Sequence, residues 1–377
     1  MANQNKIVLV NQSAGYLMID IANAFAIQYK QVILYTGHLN PRNNSLDKKV
    51  LVKKIVAYQR VSTLKRLLSW SLGTLQVWWY ITFFHRKTPL FLVSNPPFAT
   101  LLPLLLPNPF SVLVYDVYPD ALVQYGVFKK QSWLVKTWEN FNTKVYAKAQ
   151  QVFTITQGMK KLLAKYVNIS KIEVVPIWSD NQFFKPITKS ENSFIHQYPF
   201  LKNKFIVLYS GNLGRTHPVE IIPQLAALCT HPDIYFLIIG EGEKKKALEK
   251  QIAQLQLVNC SLLPWQPTIM LPHSLSSADV ALVTLDEQAS HLSIPSKTFN
   301  YLSVGATIMA ISEPNSALGT LVKKYKVGST FSKNQTVSML EFIIQLYNLP
   351  TEQKKYREKA KEASLYFTQK NAEKFVK

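Results

Sequence analysis

Lys297 and Arg215 are the two cations of this chain whose sequence surroundings suit an anion. Lys297 closes Ile294-Pro-Ser-Lys297, which opens a helical stretch. Ser296 is therefore expected to cap that helix while free amides and the Lys297 ammonium face an incoming diphosphate. Arg215 ends Tyr209-Ser-Gly-Asn-Leu-Gly-Arg215. There Gly211 and Gly214 flank Asn212 and let the backbone approach a ligand, and the guanidinium can fork onto a phosphate. His217, two residues on, is a phosphate or sugar contact or else a capping residue beside Pro218. Gly240 and Gly242, in a Gly-Glu-Gly after an apolar run, allow tight turning and close ligand approach. In Pro264-Trp-Gln-Pro267, Trp265 and Gln266 either border a nucleobase edge or pack within the domain. The first half adds Gly15, which admits a phosphate or sugar or simply turns the chain. It also adds Asp116, which takes an acceptor hydroxyl proton, holds a sugar hydroxyl or braces its loop.

Positioning these loops is the work of an alternating pattern. Short β-branched runs alternate with longer amphipathic stretches, which predicts an α/β fold of parallel sheets with helices on both faces. Strands are expected at 6–10, 32–35, 90–94, 112–115, 152–154 and 172–175, and helices near 16–29, 61–85, 132–148 and 156–167. A second series predicts strands at 205–209, 234–239, 261–263, 280–284 and 307–310. Between them, 176–204 is rich in Pro, Asn, Lys and Ser and reads as a linker. The expected domains are 1–190 and 191–350, both doubly wound, with 351–377 forming one or two helices that pack back on the first. Ligands in such folds bind beyond the carboxyl ends of the strands, so the loops named above are expected to line a cleft between two Rossmann-like domains.

Composition narrows the class of partner. With 377 residues, 47% of them apolar, the chain can bury a substantial core. The net charge of +21 is concentrated in residues 1–195, which carry 23 Lys and Arg against 8 Asp and Glu. Such a half is drawn to nucleic-acid phosphates or anionic lipid headgroups. Trp70, Trp78, Trp79, Trp133 and Trp138 lie there among leucines and basic residues, a mixture suited to a membrane interface or, equally, to a core with a solvated basic face. The uncharged stretch 67–84 is about long enough to span a bilayer, but Ser69, Ser71, Gly73, Thr74, Gln76 and Thr82 dilute it, and a packed helix is expected. Cys229 and Cys260 are read as core residues in a reducing compartment. The apolar run 7–10 is too short for a signal peptide, so a cytoplasmic chain is expected.

Taken in order, YSGNLGR (209–215), the strand-plus-GEG (236–242), PWQP (264–267), ADVALVTL (278–285) and IPSKTFNYLSVG (294–305) resemble the family 4 glycosyltransferases of the GT-B fold, in the branch that builds bacterial surface polysaccharides. SNPPFATLLPLLL (94–106) and VYDVYPDALVQYGVF (114–128) are similar to that branch's acceptor domain. The resemblance implies a retaining enzyme acting without a cofactor or bound metal on a nucleotide-sugar donor. The basic, aromatic first half, beside the donor-side loops, leads to the expectation of a lipid-linked or other membrane-proximal glycan acceptor and of a chain peripheral on the inner face of the cell membrane. Arg215 and Lys297 would neutralise the diphosphate as it leaves, and no Asp-x-Asp metal motif is present. The family often carries two glutamates separated by seven residues; here those positions are Leu292 and Asn300. Asn300 can still bond a ribose hydroxyl, more weakly than a carboxylate would. A donor-impaired, partner-dependent homologue stays open on that ground, as does a nonenzymatic basic protein binding nucleic acid or anionic surfaces. A sugar-nucleotide epimerase, by contrast, would be expected to place several acidic and histidine groups around the sugar.

Overall fold

A computed structural model of the chain describes residues 4–41, 45–59, 61–124, 126–214, 216–286 and 292–376. It divides into two compact units, Met1–Ile177 with Gln369–Lys377, and Trp178–Thr368.

The first unit is built on seven parallel strands, β1 (Gln4–Val10), β2 (Tyr29–Thr36), β3 (Val50–Lys54), β4 (Leu90–Val93), β5 (Phe110–Val114), β6 (Val152–Thr154) and β7 (Ile172–Val174), in the spatial order β3-β2-β1-β4-β5-β6-β7. Helices α1 (Tyr16–Gln28) and α2 (Thr63–Phe84) are among its crossovers. Ile7 to Val10, Leu90 to Val93 and Val112 to Val114 are all buried, as central strands covered on both faces must be. Helix α2 begins at Ser62, whose hydroxyl accepts the Lys65 amide, and buries Trp70, Gly73, Val77 and Ile81 at helical spacing. No helix among the described residues is long and apolar enough to cross a membrane. The stretch 67–84 is instead the packed helix α2.

The second unit carries six parallel strands, β8 (Phe205–Ser210), β9 (Ile234–Ile239), β10 (Cys260–Leu263), β11 (Val280–Thr284), β12 (Thr307–Ile311) and β13 (Gly328–Phe331), in the order β10-β9-β8-β11-β12-β13. This is the strand order of a doubly wound nucleotide-binding sheet, with its reversal point between β8 and β11. The core on one side gathers Val207, Phe236, Ile238, Leu282, Met309, Met339 and Ile343. Cys229 and Cys260 are free and buried.

The division differs from the expected one at both ends. Residues 176–204 do not form a linker: Trp178, Phe184, Phe194 and Leu201 are buried, and the boundary falls after Ile177. A few large aromatic anchors outweigh the polar composition around them. At the other end, the helix Pro350–Ser364 belongs to the second unit, where Ala360 and Ala363 are buried, and only 369–377 joins the first. That return is anchored by Phe375, whose ring meets Phe91 at 5.8 Å and Phe153 at 5.0 Å between centroids, edge to face. Phe375→Ala should therefore cost the first unit about 3 kcal/mol, measured as a lower urea midpoint with unchanged slope.

Candidate functional site

The carboxyl ends of β8, β9 and β11 and the helix Lys297–Ser303 bring the second-unit residues together. The loop after β8 is clamped to the loop after β9 by backbone bonds. The Gly211 amide donates to the Ile239 carbonyl (2.9 Å), Leu213 donates to Glu241 (2.9 Å), and Lys244 donates to Leu213 (3.0 Å). This clamp explains two of the glycines. A Cβ on Gly240 would stand 2.0 Å from the Gly211 carbonyl oxygen, and Gly242 holds φ at +151° with Leu213 backbone 2.7 Å from where a Cβ would sit. These glycines let two loops touch, and the amides of Gly211 and Leu213 are spent on that contact. Asn212 is exposed at the tip of the first loop, beside Gly214. Arg215 and 287–291 lie outside the described residues.

Lys297 is held at the middle of this assembly. Its Nζ is buried, meets no hydrogen-bond partner among the described residues, and lies 3.7 Å from the Tyr209 ring centroid. Gly211 leaves the room it occupies, since a Cβ there would meet Nζ at 2.5 Å. Tyr209 is itself fixed, its hydroxyl donating to the Asn212 carbonyl at 2.7 Å. Burial pulls the Lys297 ammonium down to about 7 from its ordinary 10.5. A cation this desolvated, with an aromatic face as its visible company, is prepared for an anion that supplies the missing charge.

Two expectations about neighbouring residues need correction, and the surroundings of a third residue, His217, are now defined. Ser296 occupies the N-cap position but its side chain makes no capping bond, because its φ and ψ are helical (−59° and −28°) rather than extended. The second and third helix amides are not free either: Thr298 donates to Pro295 and Phe299 to Ser296 in tight turns. His217 lies near the site, yet its Nδ1–H is given to the Thr284 carbonyl at 2.9 Å, which leaves Nε2 as a lone pair. Burial, and after it the nearby Lys297, lower its pKa, which disfavours an imidazolium there.

Asn300 is buried and its Oδ1 accepts the Ser179 hydroxyl at 2.8 Å. Tyr301, next to it, accepts the Ser210 amide on its hydroxyl oxygen at 3.0 Å and ties this helix to the end of β8. Beyond β10, Trp265 is 59% exposed and the Gln266 side chain donates to Pro264 at 2.9 Å, so that turn is rigid with its ring outward.

Sequence reasoning missed a cavity of about 150 Å³ lined by Glu220, Lys244, Asp286, Ser312, Glu313 and Lys333, among others. Lys244 there pairs with Glu220 at 2.7 Å and donates to the His217 carbonyl at 2.8 Å. The signal was available, since Ser312 and Glu313 directly follow β12 as the other site loops follow their strands. No group of three or more His, Cys, Asp or Glu side chains gathers as metal ligands among the described residues.

Gly15 and Asp116 belong to the first unit. Gly15 caps α1 with ordinary negative φ, and nothing stands within 4 Å of a Cβ placed on it. The fold therefore makes no demand for glycine there. Asp116 follows β5 and is exposed; its amide and that of Tyr115 both donate to the Ser94 hydroxyl, at 3.2 and 2.9 Å.

Comparison with known proteins bears on this arrangement. Residues 190–363, most of the second unit, match the model of the family described as Glycosyl transferases group 1. Probable glycosyltransferase WbjE of Pseudomonas aeruginosa is 28% identical over 244 residues, covering 63% of this chain and 60% of its own length. WcaI of Escherichia coli (strain K12), provisionally named as a colanic acid biosynthesis glycosyl transferase, is 31% identical over 176 residues, 46% of this chain and 43% of WcaI. The matched region thus spans roughly half the length of these relatives. Among solved structures, Anabaena Alr3699/HepE in complex with UDP and glucose superposes with a TM-score of 0.72 at 15% identity, covering 99% of this chain and 98% of that one. At that identity the likeness speaks to the fold alone, which is the two Rossmann-like halves of the GT-B class.

Proposed function

We propose that this chain is a glycosyltransferase that moves a sugar from a nucleotide-sugar donor to a lipid-linked or other membrane-proximal glycan in surface polysaccharide synthesis. The observation that carries the reading is the buried Lys297 ammonium, on an aromatic face and without a hydrogen-bond partner among the described residues, inside the segment that matches the glycosyl transferases group 1 model. A diphosphate leaving group gathers negative charge as its glycosidic bond breaks, and a fixed cation in a dry site stabilises that charge strongly. Lys297 supplies one such cation and Arg215 is proposed as the second, doing the work of a metal ion. Asn300 is proposed for the ribose and Trp265 with Gln266 for the base. The carboxylates of Asp286 and Glu313 have the chemistry to accept sugar hydroxyls. Asp116 is proposed to take the acceptor hydroxyl proton and Gly15 to let the donor sugar lie against the backbone, transfer is proposed to retain configuration, and the chain is proposed to work at the inner membrane face. A UDP-sugar is the favoured donor, in line with the UDP complex of the Anabaena protein of like fold.

A thermal-shift screen against UDP, GDP, CMP and their sugar conjugates, with chelator present, tests this. UDP at about a hundred times its Kd should add roughly 2.7 kcal/mol of stability. No shift with any nucleotide, in protein shown to be folded, would sink the donor-site reading. The same titration has a pH signature. Free Lys297 holds its proton only below about 7, so above that pH a bound diphosphate must draw a proton in. Affinity for UDP should then fall by up to about tenfold per pH unit above 7, with proton uptake visible by calorimetry in buffers of different ionisation enthalpy.

A further inference from the structure

Along the edge of the first unit's sheet runs a groove of about 510 Å³ that no donor-site or acceptor-site residue lines. Its charged lining residues are Lys6 on β1 and Lys53 and Lys54 on edge strand β3, and no acidic side chain joins them. Among the described residues none of the three has an ion-pair partner. Opposite stand Tyr80, Phe84 and His85 at the end of α2. His85 is 8% exposed, with Nε2 3.0 Å from the Tyr35 hydroxyl and Nδ1 left without a hydrogen-bond partner.

The aromatic wall does not stop at the groove. Tyr80 and Phe84 lie within 6.3 Å of each other, and Trp79 meets Phe83 at 5.4 Å and Phe84 at 5.5 Å between centroids. Trp79, Phe83 and Phe84 are 47%, 64% and 63% exposed. Up the same helix Leu64, Leu68, Leu72 and Leu75 continue an exposed stripe at spacings of three and four. Lysines on an edge strand can serve simply to discourage pairing with another chain, but that purpose calls for neither the aromatic wall nor the leucine stripe.

We infer that this groove receives the phosphate headgroup of an anionic lipid while the exposed face of α2 lies in the bilayer interface. Phosphate oxygens would meet the three ammonium groups, and the acyl chains would continue along Phe84, Phe83, Trp79 and the leucines. A free phosphate accounts for the lysines alone, and a nucleic acid gives the leucine stripe nothing to do. The inference locates the membrane contact that the proposed acceptor requires, yet it stands or falls without any transfer reaction.

The full chain should co-sediment with vesicles of phosphatidylcholine and phosphatidylglycerol, and weakly with phosphatidylcholine alone. Lys53→Ser with Lys54→Ser should weaken partitioning into the anionic vesicles by roughly tenfold or more, and Trp79→Ser with Phe83→Ser should remove the binding that survives high salt. All four side chains lie at the surface, so both variants should keep the wild-type melting temperature and its shift with UDP. Vesicle binding unchanged in both variants would overturn the inference. So would release from vesicles by inorganic phosphate at matched ionic strength, which would mark a free-phosphate site, or lysine-dependent binding of RNA with no vesicle binding. If the UDP shift persists while vesicle binding is absent, only this inference fails; the reverse outcome removes the donor reading and leaves the groove.

Discussion

Lys297→Met should make the protein more stable and far less active. In the folded state Lys297 titrates near 7 against 10.5 for an ordinary lysine, a difference on the order of 4–5 kcal/mol against burying the charge. Its place over the Tyr209 ring at 3.7 Å returns about 2 kcal/mol of that. Methionine fills a similar volume with no charge to desolvate, so a net gain of about 2 kcal/mol is expected near pH 7. The pH dependence follows from linkage. Because the folded pKa is depressed, the unfolded chain holds the extra proton between about 7 and 10.5, and wild-type stability rises with pH through that window. The advantage of the methionine variant is therefore full at and below pH 7 and shrinks towards pH 10, measurable as the gap between urea midpoints at several pH values. Transfer should fall by roughly 10²–10³ in kcat/KM, the loss typical of one preorganised charge on a leaving group. A variant both less stable and fully active would show that Lys297 is an ordinary structural lysine.

How much of this was legible follows from what each residue faces. Strands covered on both faces announced themselves as unbroken apolar runs: Ile234–Ile239, Val280–Thr284 and Val152–Thr154 fall where expected. Two of the four edge strands did not, although Ile172–Val174 and Cys260–Leu263, also edges, fall where expected. Val50–Lys54 ends in two lysines and Gly328–Phe331 reads Gly-Ser-Thr-Phe, since an edge with one open side needs no apolar run. At the site, Lys297 was legible because its Pro-Ser-Lys setting is local. The bond between Ser179 and Asn300 was not, because it joins residues 121 apart that only the fold brings together. Ser296 shows the limit of motif reading, since the right residue at a helix start caps nothing unless its backbone is extended. Gly240 and Gly242 were read as permitting tight turning and close ligand approach, and the structure adds that each makes room for another loop.

That contact between the loops sets the remaining prediction. Gly240→Ala drives a methyl to within 2.0 Å of the Gly211 carbonyl oxygen, a backbone atom that is tied in turn through the Gly211 amide to Ile239. Neither side can give without breaking the clamp, so a cost of roughly 3 kcal/mol or more is expected from overpacking alone. Because the clamp carries the loop beside Lys297, nucleotide binding should be lost together with stability in the second unit. Gly15→Ala is the converse test. Its φ is negative and a Cβ there meets nothing, so stability should hold or rise by about 0.4–1 kcal/mol through the unfolded chain. If Gly15 is kept small so that the donor sugar can lie against the backbone, Gly15→Ala should still reduce transfer while leaving the UDP-induced thermal shift in place. Full transfer activity in Gly15→Ala would return Gly15 to a simple turn, and a stable Gly240→Ala would mean that the two loops are not held as tightly as their backbone bonds indicate.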